Sequence, residues 1–128
     1  MTRVLIVDDE LDTLNLLQMM MEMSGLQAIV TPDPIYALTL AASERPDCIL
    51  LDIMMPQLDG FTVCRMLRLN PQTQDIPIIF VTAYSALNLE ERRKESGGDL
   101  VLPKPVGMNK LLESIEKVIQ MRKHVLED

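Results

Sequence analysis

Four apolar runs in this chain end on side chains able to hold or transfer charge. Val7 is followed by Asp8 and Asp9, Leu51 by Asp52, Val81 by Thr82, and Leu102 by Pro103 and Lys104. Three carboxylates brought together repel one another and are costly to bury ionised, so such a trio either raises a pKa or holds a cation. A hard ion that prefers oxygen ligands, such as magnesium, is the natural occupant. The hydroxyl of Thr82 and the ammonium of Lys104 add donors suited to oxygens bearing negative charge. Metal, hydroxyl and lysine together describe a pocket for a phosphoryl group.

These residues lie far apart in the chain, so a fold must bring them together. Short β-branched runs alternate with longer amphipathic stretches, the pattern of βαβ units and a mostly parallel sheet covered on both faces. Strands are predicted over 4–7, 27–31, 47–51, 77–81 and 100–102, and helices over 11–23, 35–43, 61–69, 85–95 and 108–122. Ser24-Gly25 stops the first helix, Asp33 before Pro34 caps the second, and Asp59-Gly60 turns into the third. The methionines of the first helix read as core filling rather than a partner groove. The run Cys48-Ile49-Leu50-Leu51 has no polar face, as a central strand buried on both sides requires. Right-handed crossovers then place the carboxyl ends of the strands on one edge, where open parallel sheets bind ligands.

The totals bound what this site can serve. With 128 residues, 48% of them hydrophobic, the chain has material for one core and is short for two domains. Its 19 acids against 12 bases give a formal charge of -7, so the surface repels polyanions and direct nucleic-acid binding is not expected. No apolar run approaches the roughly 18 residues of a membrane span, and a cytoplasmic protein is expected. Cys48 and Cys64 lack CxxC spacing and His124 is the only histidine, so two buried free thiols are expected rather than a metal or disulfide pair. The charged run at 90–95 mixes signs within a turn or two and reads as a solvated helix face.

In order and placement, VDDE near the N-terminus, LLDIMMPQLDG about the third strand, VTAY at the fourth and LPKP after the fifth resemble the receiver domain of bacterial response regulators. The resemblance runs from about Thr2 to Arg122, which sets a domain at 1–122 and leaves 123–128 as a tail or the start of a linker. It implies an α/β fold, a flavodoxin-like (βα)5 doubly wound parallel sheet with strand order 2-1-3-4-5. It implies that Asp52 accepts a phosphoryl group, that Asp9, Asp52 and the Met54 carbonyl ligate Mg2+, and that Asp8 supports the ion through water. Thr82 would bond one phosphoryl oxygen and Lys104 pair with another, while the small Ala83 leaves the approach open. The Lys104–Pro105 peptide would be cis, a form whose cost proline lowers. The implied donor is a phosphohistidine on a sensor histidine kinase or a histidine phosphotransfer protein. Water would slowly reverse the modification, making a reversible switch rather than a turnover enzyme. Output would pass through a further domain, a partner protein or a homodimer.

One position departs from the family pattern. Receivers commonly carry Tyr or Phe three residues before the lysine, a ring that moves inward when the threonine reaches for phosphate, and here that residue is Val101. The chemistry is untouched by this change, but the usual coupling to the surface is in doubt. Tyr84, two residues beyond Thr82, is expected near the pocket mouth, where with Met54 it would tune access of water or donor to Asp52 or else serve a structural role alone. Among competing functions, a flavin binder would need a Ser, Thr and Gly loop after the first strand, where Asp8-Asp9-Glu10 would repel phosphate. An aspartyl-phosphate hydrolase would show Asp-x-Asp-x-Thr there, which is absent. A non-catalytic pseudo-receiver would have lost an acid or the lysine, and all are present.

Overall fold

Aliphatic runs without a polar face must be covered from both sides, and they form the middle of the sheet. A computed structural model describes the backbone of residues 1–127 and the side chains of residues 1–123. The strands are β1 (Arg3–Val7), β2 (Gln27–Thr31), β3 (Cys48–Leu51), β4 (Ile78–Thr82) and β5 (Leu100–Pro103). They are parallel and ordered β2-β1-β3-β4-β5. Every residue of β3 and β4 is buried. The register sets Val7 beside Leu51, Leu51 beside Phe80 and Thr82 beside Pro103, so the strand ends lie level along one edge.

The helices α1 (Leu11–Met23), α2 (Pro34–Glu44), α3 (Gly60–Leu69), α4 (Leu89–Ser96) and α5 (Met108–Glu127) cover both faces. Alternation along β1 divides the core: Val4 and Ile6 pack with Leu14, Leu17 and Met21 of α1 and with Leu111, Ile115 and Val118 of α5. Leu5 and Val7 face the other layer, with Ala37 and Ala41 of α2 and Phe61, Val63 and Leu67 of α3. Cys48 belongs to the first cluster and Cys64 to the second, so the sheet separates two free, buried thiols. Burial pushes both upward in pKa, Cys64 to about 11 even with the Arg68 charge opposing it. Among the described residues no helix is long and apolar enough to cross a membrane.

Beyond one-residue shifts at element ends, three details differ from the sequence expectation. Of the methionines in α1 only Met21 is fully buried, whereas Met19 is 56% and Met23 72% exposed. Residues 19–23 run more than a full helical turn, so they cannot all face the sheet. The fourth helix begins at Leu89 rather than at 85, because Tyr84 N–H donates to the Thr82 hydroxyl and Leu89 N–H to the Ala86 carbonyl, which turn the chain before it can coil. The last helix continues to Glu127, since nothing from Lys123 onward is a Gly or Pro that would stop it. The His124 side chain lies outside the described residues.

The predicted cap on α2 is present, with the Asp33 carboxylate accepting from Ile35 N at 2.8 Å and Tyr36 N at 3.3 Å. Asp33→Ala is expected to lose about 1 kcal/mol of stability, read as a lowered urea midpoint with unchanged slope.

Candidate functional site

The level strand ends gather the charged groups at one edge. Asp8 follows β1 and is 1% exposed, and its Oδ1 accepts from Glu10 N at 2.9 Å in the turn that leads to α1. Asp52 follows β3 and is 5% exposed. Its backbone N–H extends the ladder to the Val7 carbonyl at 3.0 Å, and its Oδ1 accepts from Ile53 N at 2.7 Å. Lys104 is held by its own N–H, which donates to the Thr82 carbonyl at 2.9 Å, and the peptide that follows it to Pro105 is cis. Its ammonium stands between two acids, 2.9 Å from Asp8 Oδ2 and 3.2 Å from Asp52 Oδ2.

Charge in this cluster is not balanced. Asp8, Asp9 and Asp52 each offer an oxygen within 4.8 Å of the others, while one ammonium faces them. Burial raises the pKa of Asp8, and neighbouring Asp52 adds to the rise that Lys104 opposes. Burial works against the charge of Lys104 as well, but the bonds to Asp8 and the attraction of Asp52 outweigh it and its pKa is raised. Because Asp8 titrates higher when folded, its penalty on stability grows as pH rises from the ordinary carboxylate value to the raised one. Asp8 Oδ2 is buried, and the Lys104 ammonium at 2.9 Å is its ion-pair partner. An all-oxygen donor set and excess negative charge fit a divalent cation of the magnesium type.

The remaining predicted residues fall around the same cleft, whose volume is about 350 Å³. Thr82 is buried at its floor, and Ala83 and Met54 line it, Met54 being 60% exposed. Tyr84 lines it too, half-buried, with its ring edge-on to Phe61 at 6.3 Å. Val101 lies away from the opening, beside Phe80 in the sheet.

Residues 4–116 match the model of the response regulator receiver domain. This chain belongs to that family. As a receiver it is a signalling module of two-component systems. It is 36% identical over 126 residues to the response regulator MprA of Mycobacterium ulcerans, covering 98% of this chain and 53% of that protein. It is 35% identical over 120 residues to the DNA-binding dual master transcriptional regulator RpaA of Synechocystis, covering 94% and 50%. The receiver thus spans about half the length of these curated relatives. The chemotaxis protein CheY4 of Vibrio cholerae superposes with a TM-score of 0.87 at 27% identity, over 92% of this chain and 98% of that one. The receiver domain of sensor histidine kinase PA1611 from Pseudomonas aeruginosa, which carries a magnesium ion in its active-site cleft, superposes at 0.85 with 27% identity, over 93% and 98%. The pseudo-receiver reading finds no support, because no acid is missing and the lysine stands among the acids.

Two receiver residues that matter to the cleft escaped the sequence reading. Glu10 lines it beside Asp9, and its place in the acidic run was the available signal. Gly60, read only as part of a turn, lies against the Asp52 backbone. Its N–H donates to the Ile53 carbonyl at 2.8 Å, and Asp59 caps α3 by accepting from Thr62 N at 3.0 Å. The close approach itself has no sequence signature.

Proposed function

We propose that Asp52 is the phosphoacceptor and that the cleft catalyses transfer of a phosphoryl group to it from a phosphohistidine. The observation that supports this reading is the Lys104 ammonium shared between Asp8 and Asp52 at the floor of an acidic cleft. A carboxylate oxygen of Asp52 attacks phosphorus in line as the donor imidazole leaves. The P–N bond breaks with its electron pair returning to nitrogen, and the new P–O bond makes an acyl phosphate. Lys104 then pairs with one phosphoryl oxygen and the Thr82 hydroxyl donates to another. Mg2+, held by Asp9, Asp52 and the Met54 carbonyl with Asp8 acting through water, would supply positive charge to the phosphoryl oxygens.

The donor in this reading is a sensor histidine kinase or a histidine phosphotransfer protein in the cytoplasm. The receiver proper is residues 1–122, with residues 123–128 a tail or the start of a linker, and output passes through a further domain, a partner protein or self-association. The chain catalyses its own modification and slow reversal and turns over no other substrate. Incubation with a phosphorylated histidine phosphotransfer protein tests this directly. The label is expected to move to the receiver only with magnesium present, and retention of all label on the donor would contradict the reading.

Two further outcomes follow from the cleft. Magnesium is expected to raise the melting temperature, by the equivalent of about 2.7 kcal/mol at a hundredfold excess over Kd. Asp9→Asn is expected to shrink that gain in calorimetry, and an equal gain would remove Asp9 from the ligand set. Met54 and Tyr84 flank the opening, so Met54→Ala and Tyr84→Ala are expected to change the acyl-phosphate lifetime several-fold by altering the access of water. Unchanged lifetimes in both would rule out gating.

A further inference from the structure

The helix α4 is fastened firmly at one end only. At its C-terminal end the Gly97 carbonyl accepts from Arg68 Nε at 2.9 Å and from Arg122 Nη2 at 3.2 Å. The same two arginines hold the Asp99 carboxylate, Arg68 Nη2 at 3.1 Å and Arg122 Nε at 2.9 Å, and that carboxylate also takes the Ile78 N–H at 2.8 Å. Arg93 closes the hub by donating to the Gly98 carbonyl at 2.8 Å. Groups from α3, α5 and β4, with Asp99 just before β5, therefore grip this end together.

The N-terminal end of α4 has fewer polar ties, though Leu89 is half-buried and packs against the core. Asn88 makes no side-chain cap, Leu87 is fully exposed, and Ser96 at the far end is the one buried residue of the helix. Beside Leu89, the polar tie of the first turns is Arg92. Its guanidinium lies 4.3 Å from the centroid of the Phe61 ring, and its Nη1 reaches the Tyr84 hydroxyl at 3.4 Å. The Tyr84 ring stands edge-on to Phe61, which stands edge-on to Phe80 at 5.2 Å. Three of the four aromatic rings in the chain meet here. Tyr84 in turn is bound to the cleft by its backbone, whose N–H donates to Thr82 Oγ1 at 3.0 Å.

We infer that Tyr84 and Arg92 form a latch through which the state of Asp52 sets the position of the N-terminal half of α4, in the role left vacant by Val101. The inference rests on the reading of Asp52 as phosphoacceptor. When the Thr82 hydroxyl turns toward a group on Asp52, its oxygen leaves the Tyr84 N–H, and the 82–84 turn loses its internal bond. The Tyr84 ring then shifts along the edge of Phe61 and leaves Arg92, a contact already near the long limit for a hydrogen bond. With that tie released the first turns of α4 swing about the hub at Gly97. A short helix with one buried residue and one anchored end is the element most easily moved as a unit.

The test compares the parent and Arg92→Gln, each with and without a small phosphodonor and magnesium. Intact mass reports phosphorylation, and hydrogen exchange with the NMR shift of the Arg92 δ protons over the Phe61 ring reports the latch. In the parent, phosphorylation is expected to speed exchange of amides 92–94 at least threefold, to leave the Gly97 and Gly98 amides unchanged, and to erase the ring shift of Arg92. Arg92→Gln is expected to take up the phosphoryl group as the parent does, with amides 92–94 already fast and no further change on modification. A phosphorylated parent with unchanged amides 92–94, or an Arg92→Gln protein that responds as fully as the parent, would overturn the latch. Absence of any mass gain in the parent would overturn the phosphoacceptor reading, and the latch with it.

Discussion

Replacing Asp52 by asparagine is expected to abolish phosphoryl uptake while leaving the fold intact. The amide oxygen can still accept from Ile53 N, and Lys104 keeps Asp8 as an ion-pair partner. Removing one of three clustered negative charges also relieves Asp8, whose ionised form burial already disfavours. The change in stability is therefore expected to stay within about 1 kcal/mol. What asparagine lacks is the anionic oxygen that attacks phosphorus, and no rearrangement of the cleft restores it. Intact mass after incubation with a phosphodonor checks the first half and a urea titration the second. A variant that still gains a stable phosphoryl group would move the acceptor to another residue.

The second large effect concerns the backbone beneath that carboxylate. A methyl group on Gly60 would enter contact distance of the Asp52 carbonyl oxygen and lie 2.8 Å from Ile53 Cα. Both obstacles are main chain, so neither can rotate away, and the end of β3 and the start of α3 must part. Gly60→Ala is expected to cost roughly 3 kcal/mol, the upper range for overpacking a tight interior contact. It should also slow phosphoryl uptake, because displacement of the Asp52 backbone moves the acceptor relative to Lys104. Gly25→Ala makes a useful comparison: nothing lies within 4 Å of its added methyl, and its φ of +82° leaves only local strain. Denaturant midpoints of the two variants measure the difference. Equal midpoints would mean that the Gly60 contact is readily relaxed.

Much of the architecture was legible because burial writes itself into period and composition. The unbroken Cys48-Ile49-Leu50-Leu51 run marks a strand covered on both faces, and Asp33 before Pro34 marks a helix start; the structure shows both. That Asp8, Asp52 and Lys104 would gather was legible for a related reason: an acid directly after a buried strand is expensive unless other groups meet it there. The start of α4 was not legible, since Ser85 to Asn88 carries no pattern against a helix and the turn depends on the Thr82 hydroxyl binding Tyr84 N–H. The polar hub around Asp99 was equally hidden. Arg68, Asp99 and Arg122 are distant in the chain and look like ordinary surface charges until the fold brings them together. Burial, and then the neighbouring Arg122 charge, lower the pKa of Arg68 there, and Asp99 opposes this only in part, while the Gly97, Gln74 and Ile76 carbonyls accept its N–H groups.

In the proposed function an acidic, cation-dependent cleft loads a phosphoryl group onto this chain. Intact mass spectrometry of the parent protein after incubation with a small phosphodonor tests it most directly, once with magnesium and once with a chelator in its place. The expected result is the gain of a single phosphoryl group with magnesium and none with chelator. No gain in magnesium, or an equal gain under chelation, would contradict the account.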